Sequence, residues 1–422
     1  MAQATAGTGG GSGAFRGPAD QQTIRRHNLA LVLQQVADNG SASRARIAAA
    51  TGLNKTTVSN LVADLVDRGL LREEGVSLSG SVGRPAVNLV LDGQSFVAVG
   101  LEVNVDYLAF SAVDLLGRVR DEGFVQRDNR ERGPEASLAS LALLVRQALD
   151  RLQDGQLTAV GATLGLPGLV DVACGELFVA PNLGWKHVRA AEILHEHLGR
   201  VDLKINVDNE ANLGALAERW EGVGSQVQDF IHVSGDVGVG AGVVVGGELY
   251  RGATGFGGEF GHMTLMPDGP QCACGGRGCV ETFVGQEALL RLAGVESPHL
   301  RQSAAMAAVG PVETLVAAAA DGDTNVLSAL ETVGTHLGIA LSSAVNLLAP
   351  RAVVLGGYFT HLFEWLRGPV ERELHRRVIA TQWASVDVLK SQLQQGAAVR
   401  GGAALTLRQV LADPVLVSRR RR

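Results

Sequence analysis

His262, Cys272, Cys274 and Cys279 fall within one 18-residue window, spaced H-x9-C-x-C-x4-C. Three thiols and an imidazole make a closed four-ligand set of the kind structural zinc takes, with no position left for a reactive water. The interleaved Gly275, Gly276 and Gly278 let the backbone turn tightly enough for the sulfurs to converge. A disulfide, or a group of inert thiols, is the alternative. Cys272 and Cys274 are too close in sequence to bridge without strain. A chain with four Cys and no secretion signal at its start is expected in the cytosol, where disulfides are rare. The motif therefore predicts one structural Zn2+ per chain on His262, Cys272, Cys274 and Cys279. Cys174, far from this window, is expected to be an ordinary semi-buried thiol.

At 422 residues, 46% hydrophobic and 19% charged, the chain has material for two or three domains with real cores. No apolar run approaches the ~18–20 residues of a membrane helix. Met1 to Asp20 is rich in Gly, Ala, Ser and Thr and reads as a solvated tail, so a cytoplasmic location is expected. Charge is unevenly spread. Residues 1–92 hold nine Lys/Arg and seven Asp/Glu (+2), and the rest holds 28 and 36 (−8), which sum to −6. A slightly basic head on an acidic body suits a small nucleic-acid module joined to a domain that is not one.

The head carries the pattern of such a module. Apolar residues from Ile24 to Val36 predict a helix over Thr23 to Asp38, stopped by Asn39-Gly40. Ser41-Ala42-Ser43 caps a short second helix through Ala50, Thr51 to Asn54 make a tight turn, and Lys55 to Arg68 form a third helix. Val58, Leu61, Val62 and Leu65 are its inward face by their i, i+3, i+4, i+7 spacing. Lys55, Thr56, Thr57, Ser59 and Asn60 are left near the helix N-terminus as small polar and cationic groups able to read base edges and phosphates. Alternating Val87, Leu89 and Leu91 follow a loop containing Gly83-Arg84-Pro85. This is a helix-turn-helix with a wing whose Arg84 suits a narrow minor groove. A helical bundle that holds a protein partner is the alternative.

Beyond Asp92, strands at 97–103, 107–114 and 159–164 with a helix over Ala136 to Leu152 are followed by a second set. That set comprises 229–233, 238–245, a helix over Val326 to Leu348, and the strand 352–357. Such alternation predicts an α/β domain of two lobes with a cleft between them. From about Phe96 to Leu411 the chain resembles the ROK family of repressors, open reading frames and sugar kinases, and the preceding winged module matches the family's regulator branch. The resemblance is carried by Gly258-Glu259-Phe260-Gly261-His262, by Cys272 through Glu281, by Val207-Asp208-Asn209-Glu210-Ala211-Asn212, and by Gly165-Leu166-Pro167-Gly168.

The resemblance implies a two-lobed actin-like ATPase fold, with zinc shaping a sugar site. It implies sugar contacts from Glu259, His262 and Glu281 beside the metal, from Asn209 and Glu210 on the other lobe, and from the backbone near Gly168. Carboxylates and amides are the groups that give hydroxyls directional partners. Asn209 and Glu210 equally suit the start of a helix. Family kinases carry an early Asp-x-Gly-Gly-Thr loop that approaches ATP phosphates with backbone amides. Here the stretch is Glu102-Val103-Asn104-Val105-Asp106, and the second phosphate loop, Gly-Thr-Gly in kinases, is Asp236-Val237-Gly238. The kinase base, an Asp, aligns with the longer Glu210, and a shift of about 1 Å in a base can cost ~10²-fold.

The expectation is thus a sugar-responsive repressor of carbohydrate genes without catalytic residues. It binds a double-stranded DNA operator, an inverted repeat, as a homodimer or homotetramer. A sugar kinase with a DNA-binding head, and a regulator steered by a protein partner, are the other readings. The expected order is a tail over 1–22, the winged domain over 23–92, the ROK domain over 93–415, and a basic solvated tail over 416–422.

Overall fold

The computed structural model describes residues 20–77, 86–200, 203–295, 310–393 and 396–418. By their contacts they form two units, one from Met1–Asp92 with Gln409–Arg422, the other from Gly93–Arg408.

In the first unit, helix α1 (Gln21–Asn39) starts on Asp20, whose carboxylate accepts the Thr23 N–H. Strand β1 (Ala42–Ser43) leads into α2 (Arg44–Thr51), capped by the Ser43 hydroxyl and ended by Gly52 in the left-handed conformation. Helix α3 (Lys55–Asp67) is capped by Asn54. Strands β2 (Leu71–Ser77) and β3 (Ala86–Leu91) complete a sheet of order β1-β3-β2, the wing. Val58, Leu61, Val62 and Leu65 pack with Leu29, Val32, Leu33, Val36 and Ile47, all 2% exposed or less. The charge at Asp64, buried in the same helix, is met by Arg25 at 2.6 Å and Arg68 at 3.1 Å. Arg84 and Arg419–Arg422 lie outside the described residues.

The end of the chain belongs to this unit as well. A single 3-10 turn, Pro414–Leu416, follows Asp413, which is paired with Arg26, and the Val417 carbonyl accepts from Arg68. The sequence carries the body domain to residue 415; by contacts the head resumes at Gln409.

In the second unit, β4 (Phe96–Val103), β5 (Tyr107–Asp114), β6 (Val119–Gln126), α4 (Gly133–Asp154) and β7 (Thr158–Leu166) come first. They are followed by β8 (Leu169–Asp171), β9 (Glu176–Ala180), β10 (Trp185–Val188), α5 (Ala190–Leu198), β11 (Ile205–Asn209) and α6 (Glu210–Trp220). The five-stranded sheet runs β11-β7-β4-β5-β6, and β10-β9-β8 form a small sheet beside it. Every residue of β4 and β5 is buried, which explains their near-continuous apolar runs. Trp185 and Val188 pair with β9 and bury their side chains, at 3% and 5% exposed.

The second lobe holds β12 (Phe230–Gly235), β13 (Val239–Val245), β14 (Glu248–Leu249), α7 (Glu281–Val284), α8 (Gln286–Leu292) and α9 (Pro311–Ala320). It continues with α10 (Thr324–Leu348), β15 (Ala352–Gly357), α11 (Phe363–Arg377) and β16 (Asp387–Lys390), while α12 (Ala397–Ala412) packs back on the first sheet, Thr406 Oγ1 lying 2.8 Å from Thr163 Oγ1 of β7. Its sheet runs β14-β13-β12-β15-β16. Helix α10 starts where the Asp323 carboxylate accepts from Asn325 and Val326, and its apolar face (Leu330, Val333, Leu337, Leu341) packs into the lobe's core. Cys174 departs from expectation. It is exposed, in a turn whose N–H groups at Ala173 and Cys174 are taken up by the Asp171 carboxylate, so no element covers it.

Candidate functional site

The cysteine window folds back on itself. Thr264 bridges to Cys279, Gln271 to Arg277, and the Cys272 N–H donates to the Gly276 carbonyl at 2.9 Å. Gly278 sits at φ +66°, where a Cβ would lie 1.5 Å from the Met266 carbonyl oxygen, so only glycine fits. Cys272 Sγ stands 3.7 Å from His262 Nδ1, and Cys274 Sγ 3.7 Å from Cys279 Sγ. All four ligand atoms lie within 4.8 Å of one another. Tetrahedral zinc with Zn–S of ~2.3 Å needs S···S edges of about 3.8 Å. The residues present therefore fit a metal ion of that size. Burial pushes the Cys272 thiol up to about 12, and the carboxylate of Glu281 adds to this. Three thiolates at this spot need a cation beside them, as a metal site supplies.

His262 joins this cluster to a cleft between the two sets of strands. Its Nδ1 faces Cys272, while its Nε2 lies 4.0 Å from the Glu259 carboxylate. Gly168, Asn209, Glu210, Glu259, His262 and Glu281 all line the same cleft. The structure thus brings together residues that are 113 positions apart at the extremes (168 to 281).

Each is positioned by an element end. Asn209 closes β11 and caps α6, its Oδ1 accepting from Ala211 and Asn212, while its Nδ2 donates to the Gly168 carbonyl at 3.0 Å. Helix cap and cleft residue are the same side chain. Glu210 opens α6, and its Oε2 has no hydrogen-bond partner among the described residues. Burial holds its carboxyl well above the usual range, and Glu102, Asp236 and Glu259 push it the same way. Glu281 opens α7; its Oε2 accepts from Asn182 Nδ2 at 3.1 Å and from the Val239 N–H at 3.0 Å. Burial also raises Glu259, opposed by His262 and reinforced by Glu281. An acceptor-rich, partly desolvated cleft of this kind can hold a polyhydroxy ligand by its hydroxyl protons.

Sequence reasoning missed several members. Asp208 accepts two bonds from Arg251, at 2.9 and 2.6 Å, tying β11 to the glycine-rich loop before Glu259. Asn182 and Phe256 also line the cleft. Asp208 was within a recognised motif, but nothing in the chain pointed to Arg251 or Asn182.

The stretch after β4 is closed on itself. Tyr107 Oη donates to Glu102 Oε1 at 2.7 Å, Asn104 Nδ2 donates to the Tyr107 oxygen at 3.1 Å, and the Val105 N–H is taken by Asn104 Oδ1 at 2.6 Å. Burial lifts Glu102 to about 7, and burial with the charges of Glu102 and Asp106 lifts Asp236 well above its ordinary value.

In the head, Lys55, Thr56, Ser59 and Asn60 are exposed and Thr57 is half-buried. The Thr57 N–H is taken by the Asn54 cap, and the Ser59 hydroxyl donates to the Lys55 carbonyl at 2.9 Å. These side chains lie at the N-terminal end of α3, the helix that follows the Gly52 turn.

Comparison with known proteins gives matches over both units. The ROK family profile matches residues 98–409, and a profile described as MarR family matches residues 30–77. A putative xylose repressor of Caldicellulosiruptor sp. (strain Rt8B.4) is 32% identical over 93% of this chain and 98% of its own. The DNA-binding transcriptional dual regulator NagC of Escherichia coli (strain K12) is 27% identical over 92% of this chain and 94% of its own. Among solved structures, a ROK family transcriptional regulator described as a homolog of the E. coli MLC protein is similar with a TM-score of 0.74. It shares 25% identity and covers 93% of this chain and 98% of its own.

Proposed function

The chain belongs to the ROK family, and on that premise we propose that it is a sugar-responsive transcriptional repressor. Its winged head binds a DNA operator and its cleft binds the sugar. The observation that carries this is the union, in one chain, of an exposed polar helix start at Lys55–Asn60 with a cleft where Gly168, Asn209, Glu210, Glu259, His262 and Glu281 converge. Relatives are named for xylose and for DNA-binding regulation, which supports a sugar as the effector.

The four-residue cluster holds one zinc ion, whose role is to fix the loop carrying Glu259 and His262. Lys55, Thr56, Thr57, Ser59 and Asn60 read the operator from α3, and Arg84 reaches the minor groove from the wing. The operator is an inverted repeat and the protein at least a dimer, because one small winged module makes too small an interface for tight, specific binding.

We propose further that the chain does not phosphorylate its sugar. Asn104 and Val105 border the cleft where the resemblance puts phosphate-binding glycines, and Asn104 already uses its own Oδ1 on the Val105 N–H. Glu102, Asp236 and Glu210 surround that side with carboxyl groups. A polyphosphate would meet spent donors and no Lys or Arg among the residues lining that side.

Thermal-shift and band-shift titrations with D-xylose, D-glucose and N-acetyl-D-glucosamine, with and without MgATP, test the reading. A sugar alone should raise the melting temperature and release operator DNA. Sugar-dependent ATP consumption would make the protein a kinase instead.

A further inference from the structure

We infer that Phe256 is the platform on which the effector's carbon–hydrogen face packs, so that the cleft selects pyranoses with equatorial substituents. This rests on the sugar-sensor reading and adds to it a residue and a ligand shape.

Phe256 is the one phenyl ring among the described residues lining the cleft. It lies between Gly255 and Gly257 in the loop that joins β14 to Glu259, and it is half-buried. The loop is tightly built. Gly258 sits at φ +109°, and a Cβ there would come 2.6 Å from the Ala241 carbonyl oxygen; one on Gly257 would come 2.9 Å from the Arg251 carbonyl carbon. The Gly257 N–H donates to the Arg251 carbonyl at 2.8 Å, and Arg251 is itself anchored by its two bonds to Asp208. Phe178 of β9 backs the ring, with centroids 5.8 Å apart and planes at 56°. The phenyl group is therefore held from both its backbone and its flank where it lines the cleft.

The rest of the cleft supplies the complementary half of the recognition. Asn209, Glu210, Glu259, His262 and Glu281 are polar partners for hydroxyls. In a pyranose with equatorial substituents the hydroxyls radiate from the ring edge, and both faces present C–H bonds. Such a molecule matches a slot with polar groups around an edge and an aromatic ring against a face. An axial hydroxyl on the face turned to the phenyl ring would be pressed against it without a partner and would lose its water.

Calorimetric titration of the full, metal-loaded chain tests this with D-xylose, D-glucose and N-acetyl-D-glucosamine against their epimers D-lyxose, D-galactose and N-acetyl-D-mannosamine. The bound equatorial sugar should exceed its epimer in affinity by about tenfold or more. Phe256→Leu, which keeps most of the volume, should weaken that sugar roughly threefold to tenfold and narrow the epimer ratio. Phe256→Trp should recover the affinity, and its added indole emission should shift on sugar binding. Metal content and circular dichroism check that both variants are folded. Unchanged affinity and epimer ratio in Phe256→Leu, or an indole in Phe256→Trp indifferent to saturating sugar, overturns the platform while the sensor reading stands. If the wild-type chain binds none of these sugars and none releases operator, the sensor reading fails and the platform with it.

Discussion

The imidazole of His262 and the thiol of Cys272 meet with Nδ1 and Sγ 3.7 Å apart, while the other face of the same ring addresses the Glu259 carboxylate. One side chain thus belongs both to the cysteine cluster and to the cleft. A metal ion held on Nδ1 would fix the ring's tautomer and orientation and leave Nε2–H as a donor toward the cleft.

Loss of the metal should therefore be felt in the sugar response. Cys272→Ser, or dialysis against a strong chelator, is expected to lower the melting temperature and to weaken sugar-induced operator release. Elemental analysis of the wild type should find zinc near one per chain; a value near zero removes the argument.

On the DNA side, Asn60→Ala or Thr56→Ala should cost about 1–3 kcal/mol of specific binding if the side chain reads a base. Lys55→Ala should weaken binding to all sequences and flatten its dependence on salt. Band-shift titrations at several salt concentrations separate the two behaviours, and unchanged binding in all three variants moves the reading surface away from α3.

The direction of the switch is the third expectation. Sugar should weaken operator binding, and by linkage operator must weaken sugar binding by the same factor, ~5–150-fold. Glu259→Ala and Glu281→Ala should bind operator normally yet no longer release it, acting as permanent repressors. A sugar that strengthens the wild-type complex would reverse the sign of regulation.

Glu102 gives a pH dependence. Its folded-state pKa of about 7 lies above the ordinary 4.5, so the folded protein holds this proton more tightly than the unfolded chain. The associated stability is fully present below about pH 4.5 and is lost as pH rises through 7, to an upper limit of roughly 3 kcal/mol. Glu102→Gln should thus match the wild type at pH 5 and exceed it at pH 8 in paired melting curves. Parallel pH profiles for the two proteins would count against a buried, protonated Glu102.

The pair of Arg26 and Asp413, separated by 387 positions, leads to the fifth expectation. Asp413→Ala, or removal of the residues after Ala412, should loosen α1 and reduce operator affinity while sugar affinity stays at its wild-type value. Equal loss of both affinities would mean that the C-terminal residues serve the whole chain and not the head alone.

Much of this was legible in the sequence because its determinants are local. The His262 and cysteine quartet is a spacing within 18 residues, the helix-turn-helix is a run of caps and i, i+3, i+4 apolar positions, and Asn209-Glu210 announces a strand-to-helix junction by residue type. Such signals survive in the chain because capping, periodicity and turn geometry act over a few residues. Cys174 shows the limit: a single thiol has no pattern, and its exposure follows from the turn around it.

Tertiary structure alone decided which distant residues meet. Arg251 finds Asp208, Phe178 backs Phe256, and Arg26 reaches Asp413. None of these pairs has a spacing rule, since each depends on how strands and helices pack after they form. The sequence by itself pointed to most of the elements, to the family and to the clustering of His262 with three cysteines; the packing of those elements set the shape of the cleft and the environment of its walls, because burial and proximity are properties of the assembled fold.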